Sequence, residues 1–429
     1  MPARLATLLK AAFIPISALA LTLSLTLSPH LGLNGSASAA ASCPANKEHL
    51  VPVRGGRAYL SGVNVPWLDG GFGADFATVE EWGQHTYTSA ATERMFAALR
   101  AKGVNSVRWW VFADGRGAPE FNSTSGGAVT GFDATTLPSL ADAARLAAKY
   151  NLQLVFTLWS FDMFEADSTA SAKGEHAGGH RDLVVDAAKR KSFIDNAVIP
   201  MLRYPVPNTS YTLGTHPNIF GWEVINEPEY AITESGTPNA EIPQPVALAD
   251  MQRFVAEVAG AIHRNSNQTV TVGSAAMKWN SPSAPGTTGN WWSDAALTRF
   301  DAQGYLDYYQ IHYYGWMNGD GVNWSYSPLL VSWAAAGFDK PVVVGEHPAN
   351  ADGTNGSVSA MLAGFFGNCY GGAWGWSYAP VDANGSWGDT ADALGQFNAA
   401  HAADLAIPDA LPPVDPATLT NKLYLPLIR

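Results

Sequence analysis

The stretch IFGWEVINEP, residues 219–228, decides the predicted fold of this chain of 429 residues. It has the β-branched and aromatic composition of a strand, and it stops at an Asn-Glu-Pro sequence whose proline cannot extend a ladder. A second run, PVVVG at residues 341–345, stops at Glu346 in the same way. If the strands are parallel, both carboxylates emerge at the rim formed by the strand C-termini.

Six further runs of similar composition alternate with Ala-rich amphipathic stretches. The eight strand candidates are residues 59–64, 104–111, 152–158, 219–225, 268–273, 306–312, 341–345 and 370–376. The helix candidates are residues 89–100, 138–149, 186–202, 245–264, 293–300, 329–336, 357–366 and 391–405. This alternation predicts an α/β fold of parallel βα units, closed into a (β/α)8 barrel, the TIM barrel. An open doubly wound sheet is the competing architecture, although no G-x-G-x-x-G sequence follows the first strand.

Long inserts follow three of these strands, at residues 65–88, 160–185 and 274–292. In such barrels the loops after the strands build the active site. The inserts contain aromatic residues whose flat apolar faces suit sugar rings, and we expect them to gather on the catalytic face. These residues are Trp67, Phe72, Phe76, Trp82, Trp279, Trp291 and Trp292.

The composition restricts the class of partner. Hydrophobic residues make up 47% of the chain and charged residues 14%, the reverse of a disordered chain. The formal net charge is -12, and no basic cluster occurs. Because phosphate backbones are bound through Lys and Arg, we expect no nucleic acid partner, and an anionic membrane surface is disfavoured for the same reason.

The N-terminal segment predicts secretion. Two cations precede an apolar run at residues 11–27, and small residues follow at 36–42, which is the order of a secretory signal peptide. We assign residues 1–41 to this signal, with cleavage after Ala39 or Ala41. An uncleaved membrane anchor is the alternative, which two prolines and the shortness of the apolar run disfavour.

Residues 42–407 then form one catalytic domain with two cysteines, Cys43 and Cys369. An oxidising compartment permits a disulfide between them, and free buried thiols are the alternative. The proline-rich residues 408–429 form a C-terminal tail. It is either a sorting or attachment signal or an edge strand packed on the barrel.

Paired glutamates at strand ends suggest a chemistry. By count, Glu227 ends the fourth predicted strand and Glu346 the seventh. Cleavage of a glycosidic bond needs such a pair, an acid for the leaving oxygen and a second carboxylate at the anomeric carbon. Two more strand ends supply Arg108, His312 and Tyr314.

With these neighbours the chain resembles glycoside hydrolase family 5, barrels that carry catalytic glutamates after strands four and seven. The resemblance covers residues 59–405. The matching residues are Arg108, Asn226, Glu227, Pro228, His312, Tyr314, Gly345, Glu346 and Trp376. The resemblance implies a glycoside hydrolase that acts with retention of configuration.

The resemblance also implies a role for each matching residue. Glu227 would be the acid/base and Glu346 the nucleophile. Arg108 and Tyr314 would keep Glu346 ionised and aimed, because a nearby cation lowers a carboxylate pKa. Asn226 would bond the 2-hydroxyl of the reacting sugar.

By the same resemblance, the remaining residues of the predicted site would bind the substrate. His312 would sit beside Glu227, and Trp376 would form the floor under the reacting ring. Trp159, after the third strand, and Trp67, after the first, are candidates for neighbouring subsites. We expect no cofactor, no membrane attachment after signal cleavage, and a monomer.

We also expect no metal site. His176 and His180 lie in a Gly-rich loop at a spacing that suits zinc, but no clear third ligand accompanies them.

The substrate is predicted less sharply than the reaction. The sequence at residues 222–229 and the aromatic loop after the first strand are similar to mannanase-like members, which favours endo-β-1,4-mannanase activity. A cellulase or another β-glucanase is the close alternative. A secreted carbohydrate-binding protein on an inactive barrel is a different class, and a transglycosylase would use the same residues.

Overall fold

The computed structural model describes residues 43–408, except 69–71, 74, 80–86, 124–125, 167, 170–175, 285, 319–326 and 352–355. The predicted signal peptide, residues 409–429 of the predicted tail, and Trp82 lie outside the described residues. In the part of the chain that is described, no helix combines the length and apolar character needed to span a bilayer.

Eight parallel strands close into a barrel, which confirms the TIM barrel and makes the open sheet wrong. In chain order they are β1 to β8: Leu60–Val65, Ser106–Ala113, Gln153–Ser160, Ile219–Asn226, Thr269–Ser274, Tyr309–His312, Val342–Pro348 and Gly372–Trp376. Each strand pairs with its neighbours in chain order, and β8 pairs with β1 to close the ring. Since every pair is parallel, all strand C-termini lie on one rim, where β4 delivers Glu227 and β7 delivers Glu346.

Helices surround the barrel, mostly where they are predicted. They are Ser89–Ala101 after β1, Thr136–Tyr150 after β2, Asp182–Val185, Ala187–Phe193 and Ile199–Arg203 after β3, Leu248–Asn265 after β4, Asp294–Leu297 after β5, Val358–Gly367 after β7, and Trp387–Ala400 and Ala402–Leu405 after β8. A π turn, Ile194–Val198, joins two of the segments after β3.

One helix prediction is confirmed only in part, and another is wrong. Residues 293–300 are helical only over Asp294–Leu297. Residues 329–336 form turns instead of a helix, because Trp333 is bonded to neighbouring segments. Its backbone N–H donates to the Asn368 carbonyl at 2.9 Å, and its indole N–H donates to the Lys340 carbonyl at 2.7 Å.

Alternation along β2 explains how a charged residue enters the barrel. All eight residues of this strand are buried. Trp109 points outward, where its ring packs edge-on against Phe96 of the helix Ser89–Ala101 at 6.0 Å. Arg108 therefore points inward, since successive side chains of a strand face opposite sides. This direction brings its guanidinium group under the active-site rim.

Cys43 and Cys369 form a disulfide with an S–S distance of 2.07 Å. The bond joins the segment before β1 to the turn before β8, two parts of the chain separated by 326 residues. Of the two alternatives left open by the sequence, the bonded pair is the one present.

Candidate active site

Glu227 and Glu346 face each other at the mouth of the barrel. Glu227 directly follows β4, and Glu346 lies near the end of β7. One carboxylate oxygen of each lies within 4.8 Å of the other and of a ring nitrogen of His312. The two glutamate side chains are only 13% and 6% exposed, so both carboxyl groups have lost most of their water.

Arg108 connects the polar groups below these glutamates. Its side chain is fully buried, and each of its five N–H donors has an acceptor. Two donors reach the two oxygens of Glu223 at 2.6 Å each, in a bidentate pair. The other three reach Asn64 Oδ1, Asn226 Oδ1 and Glu346 Oε1 at 2.7 Å each. Glu223 is therefore the main counter-ion of Arg108, and the remaining donors orient the residues at the rim.

Glu346 is held by groups on both of its oxygens. Arg108 bonds Oε1, and the Tyr314 hydroxyl donates to Oε2 at 2.7 Å. Burial raises the pKa of Glu346, while Arg108 and the Tyr314 hydroxyl act in the opposite direction. The predicted contacts are present, but the predicted lowering of this pKa is wrong in net direction, because desolvation of the charged form outweighs them.

Glu227 lies in a different environment. Its Oε1 lies 2.8 Å from Nδ1 of His312, and no lysine or arginine within the described residues forms an ion pair with it. Burial raises the pKa of Glu227 to about 8, a shift that Arg108 opposes and Glu229 reinforces.

The ring of His312 is also buried, and burial lowers its pKa to about 4. The ring is therefore neutral at neutral pH. Its Nε2 has no hydrogen-bond partner within the described residues, so the tautomer with the proton on Nδ1 leaves no buried donor unpaired. In that tautomer, Nδ1 donates to Oε1 of Glu227 and leaves Oε2 for a proton directed into the cleft.

Asn226 is oriented by the same arginine. Its amide oxygen accepts from Arg108, and its amide nitrogen lies 3.4 Å from the Ser160 hydroxyl. Because the oxygen is occupied, the nitrogen is the atom available to donate to a sugar hydroxyl. Asn226 lines the cleft beside both glutamates.

The cleft above the glutamates has a volume of about 380 Å³. Trp376 forms one wall, and its indole N–H donates to Asp382 at 2.9 Å. Trp110 packs edge-on against Trp376 at 5.6 Å and edge-on against Trp67 at 5.3 Å. The cleft is lined by Trp67, Phe72, Trp110, Phe161, Asp162, Asn226, Glu227, Tyr230, Tyr314, Trp316, Glu346, Trp376, Asp382 and Asn384.

Trp159 does not line this cleft, so its prediction as a sugar-binding residue is corrected. The side chain is fully buried and packs among Phe112 at 5.3 Å, Phe193 at 5.6 Å and His180 at 5.8 Å. Trp159 is the penultimate residue of β3, and its contact with Phe193 of the helix Ala187–Phe193 places it in the helix layer.

The expectation that the insert aromatics gather on the catalytic face holds for only two of them. Trp67 and Phe72 line the cleft and stack on each other at 4.1 Å. The other described members are buried in the main hydrophobic core instead. They are Phe76, Trp279, Trp291 and Trp292.

Several cleft residues were not predicted from the sequence. Trp110 shares its inward face with Arg108 two residues earlier, so strand alternation could have identified it. Tyr230 follows Glu227 by three residues and could have been suspected for that reason. Asp162 and Asp382 lie in loops after β3 and β8, and no local pattern distinguishes them from other loop acids.

The described residues include one group with the composition of a metal site, formed by Glu227, His312 and Glu346. The guanidinium group of Arg108 already forms an ion pair with Glu346 at 2.7 Å, so a metal cation bound there would be repelled by its positive charge. His180 is buried and stacks on Phe121 at 4.2 Å, and the side chain of His176 lies outside the described residues.

Comparison with known proteins adds to this geometry. No protein-family model matches the sequence. The mannan endo-1,4-beta-mannosidase of Mytilus edulis is 28% identical over 349 residues, which cover 77% of this chain and 86% of that protein. The solved endo-1,4-beta-mannanase from Eisenia fetida has 27% identity and a TM-score of 0.66, over 81% of this chain and 92% of that chain. The solved beta-mannanase from blue mussel, Mytilus edulis, also has 27% identity and a TM-score of 0.66, over 83% and 96%.

The chain is therefore similar to the β-mannanase-like glycoside hydrolases of family 5. The resemblance predicted from residues at strand ends is thereby confirmed, and so is the enzyme class. In this glycoside hydrolase, the cleft residues named above are the candidates for substrate contact.

Proposed function

We propose that this glycoside hydrolase is a secreted endo-β-1,4-mannanase that cleaves its substrate with net retention. Glu227 is the acid/base and Glu346 is the nucleophile. The observation that carries the reaction type is the short separation of the two carboxylates, within 4.8 Å between one oxygen of each. Retaining enzymes hold their carboxyl groups about 5 Å apart, whereas inverting enzymes leave roughly 6.5 Å or more for a water molecule.

The surroundings of the two glutamates support this division of roles. Glu227 has a pKa raised to about 8, so it holds its proton at neutral pH and can donate it to the leaving oxygen. Glu346 is bonded to Arg108 and Tyr314, so it is the carboxyl group that loses its proton first. A nucleophile and an acid need this difference in protonation state.

The reaction then follows in two steps. A carboxylate oxygen of Glu346 forms a bond to the anomeric carbon while the glycosidic bond breaks, and the leaving oxygen takes the proton of Glu227. In the second step Glu227, now ionised, removes a proton from water, and the water oxygen displaces Glu346 from the anomeric carbon. Both carboxyl groups return to their initial protonation states, and two inversions give net retention.

Two further residues support binding of the reacting sugar. The amide nitrogen of Asn226 donates one hydrogen to the Ser160 hydroxyl at 3.4 Å, and its second N–H can donate to the 2-hydroxyl, because Arg108 occupies the amide oxygen. Trp376 offers an indole face whose orientation is restrained by Asp382. An aromatic face packs against the C–H surface of a sugar ring, and a bonded indole N–H holds that face in place.

The substrate assignment is supported by similarity. The relatives that match over most of this chain are named mannan endo-1,4-beta-mannosidase, endo-1,4-beta-mannanase and beta-mannanase. Secretion is supported by the signal-like sequence of residues 1–41 and by the disulfide, since disulfides persist in oxidising compartments. The proposed activity requires no cofactor.

The test of substrate is a panel of mannan, glucomannan, cellulose, mixed-linkage glucan and xylan, incubated with the purified mature chain. We expect the highest kcat/KM on mannan and a loss of viscosity that precedes release of most reducing ends. Higher kcat/KM on cellulose or mixed-linkage glucan would overturn the substrate assignment. N-terminal sequencing of the secreted chain tests the cleavage position, which we expect after Ala39 or Ala41.

The test of roles uses Glu346→Ala and Glu227→Ala with an activated aryl β-mannobioside and azide. For Glu346→Ala, we expect azide to restore turnover and to give a product of inverted configuration. For Glu227→Ala, we expect a glycosyl azide of retained configuration. Undiminished mannan hydrolysis by Glu346→Ala would refute the nucleophile assignment, and exchange of the two product configurations would reverse the roles.

A further inference from the structure

Glu229 is a buried acid two residues beyond Glu227 that the reaction above does not use. Its side chain is fully buried and accepts three hydrogen bonds. Oε1 accepts from the Ser274 hydroxyl at 2.6 Å and the Trp292 indole at 2.8 Å, and Oε2 accepts from the Ala275 backbone N–H at 3.0 Å. The indole and backbone N–H groups can only donate, so these contacts favour an ionised carboxylate, whereas burial raises the pKa of Glu229.

These contacts connect the end of β4 to the loop after β5. The backbone N–H of Glu227 donates to the carbonyl of Gly273, near the end of β5. Two residues later, Glu229 accepts from the two residues that follow Gly273. The chain at Glu227 is thus attached to β5 on both sides, once through its backbone and once through the Glu229 side chain.

Glu227 needs such attachment because of its backbone conformation. Its φ is +48° and its ψ is +46°, in the left-handed region, which is strained for a residue other than glycine. A residue held there by two flanking contacts keeps one side-chain direction. Removing either contact would let the carboxyl group move away from the glycosidic oxygen.

We propose that Glu229 is a positioning residue, which fixes Glu227 toward the leaving oxygen and whose carboxylate contributes negative charge near it. This inference rests on the proposed acid/base role of Glu227. A fixed negative charge nearby disfavours ionisation of the acid, and Glu229 contributes in this direction to the raised pKa of Glu227.

Other groups also act on Glu227 and stay constant in the test. The charged ones are Arg108, Asp162, Glu223 and Glu346. The neutral titratable ones are His312, Tyr230 and Tyr314. Only the contribution of Glu229 is changed by the variants below.

The test compares Glu229→Gln and Glu229→Asp with the wild type in the full secreted chain. Glu229→Gln keeps the size but removes the charge. We expect the alkaline limb of its kcat/KM profile on mannan to move down by roughly half to one pH unit, and kcat to fall about tenfold or more. Glu229→Asp keeps the charge but is too short for all three donors. Here we expect a comparable fall in kcat with the alkaline limb unmoved.

An aryl β-mannobioside with a good leaving group distinguishes impaired proton donation by Glu227 from a general loss of activity. Such a substrate needs little protonation of its leaving group, so its first-step rate should fall much less than turnover of mannan. Glu257→Gln is the matched control, because Glu257 pairs with Arg190 on an outer helix at 2.7 Å, and its pH profile should match the wild type.

The outcomes decide the inference. If folded Glu229→Gln and Glu229→Asp both retain wild-type kcat on mannan, Glu229 does not position the acid. If the Gln variant loses kcat but its alkaline limb does not move, the charge of Glu229 has no effect on the pKa of Glu227. This result would overturn the part of the proposal that concerns charge. If the Gln variant fails to fold, Glu229→Asn replaces it, and comparison with Glu229→Asp, which differs from it only in charge, decides whether the alkaline limb moves. A wild-type chain inactive on every polysaccharide would instead overturn the proposed function.

Discussion

Replacing Arg108 by Lys tests the central arrangement of the active site. The arginine uses five N–H donors on Glu223, Asn64, Asn226 and Glu346. A lysine ammonium group has three donors at one point and cannot reach acceptors that lie on different sides of a planar guanidinium. The positive charge is retained, so the substitution mainly removes directional hydrogen bonds and keeps the charge balance of the site.

The magnitude follows from the bonds that are lost. Hydrogen bonds to charged groups contribute roughly 1.5–3 kcal/mol each. If the introduced ammonium group stays with Glu223, the hydrogen bonds to Glu346 and Asn226 are lost. Their loss should raise the free energy of the transition state by about 3–6 kcal/mol. At about 1.4 kcal/mol for each factor of ten, kcat/KM on mannan should fall roughly 10²- to 10⁴-fold. The free energy of unfolding should fall by about 3 kcal/mol or less, because the buried ion pair keeps both charges.

The assay measures kcat/KM on mannan together with denaturant unfolding of the same preparation. Arg190→Lys is the matched control, since Arg190 is also a buried arginine that bonds a glutamate and a backbone carbonyl. We expect this control to lose stability and keep kcat/KM. A folded Arg108→Lys enzyme within about fivefold of wild-type kcat/KM would refute the proposed orienting role.

Three further predictions concern the protonation of Glu227, the orientation of Glu346 and the stability of the fold. Because Glu227 must carry a proton to act as the acid, kcat/KM on mannan should decline as pH rises, with a midpoint near 8; a midpoint below about 6.5 contradicts this. Tyr314→Phe removes the hydroxyl bonded to Glu346, so kcat/KM should fall about 10- to 100-fold and the acid limb should move to higher pH, as a pH–rate profile would show. Replacing Cys43 and Cys369 together by Ser should lower the free energy of unfolding by about 2–5 kcal/mol in urea titrations, with kcat/KM at 25 °C unchanged; an unchanged unfolding midpoint would speak against this.

Local patterns in the sequence were enough to predict the barrel and the two glutamates. Strand composition marks each β run, and the polar residue after the run marks its C-terminal end. In a parallel barrel these ends share one rim, so Glu227 and Glu346 had to lie on the same face once the fold was right. The inward direction of Arg108 follows from the same alternation, because side-chain direction along a strand is a local property.

The tertiary structure alone decided which side chains meet. Trp159 also follows a strand pattern, but its neighbours Phe112 and Phe193 come from other elements and bury it. The partners of Glu229 lie 45 to 63 residues further along the chain, at a distance that no local pattern encodes.

The net pKa direction of Glu346 was likewise beyond the sequence. The residues that contact it could be predicted from strand ends, and they favour its ionised form. The extent of its burial could not be predicted from the sequence, because desolvation depends on how completely the barrel rim and its loops exclude water around this carboxyl group. The sequence by itself therefore determined the order and direction of the candidate catalytic groups, and the closed barrel with its loops decided their environment.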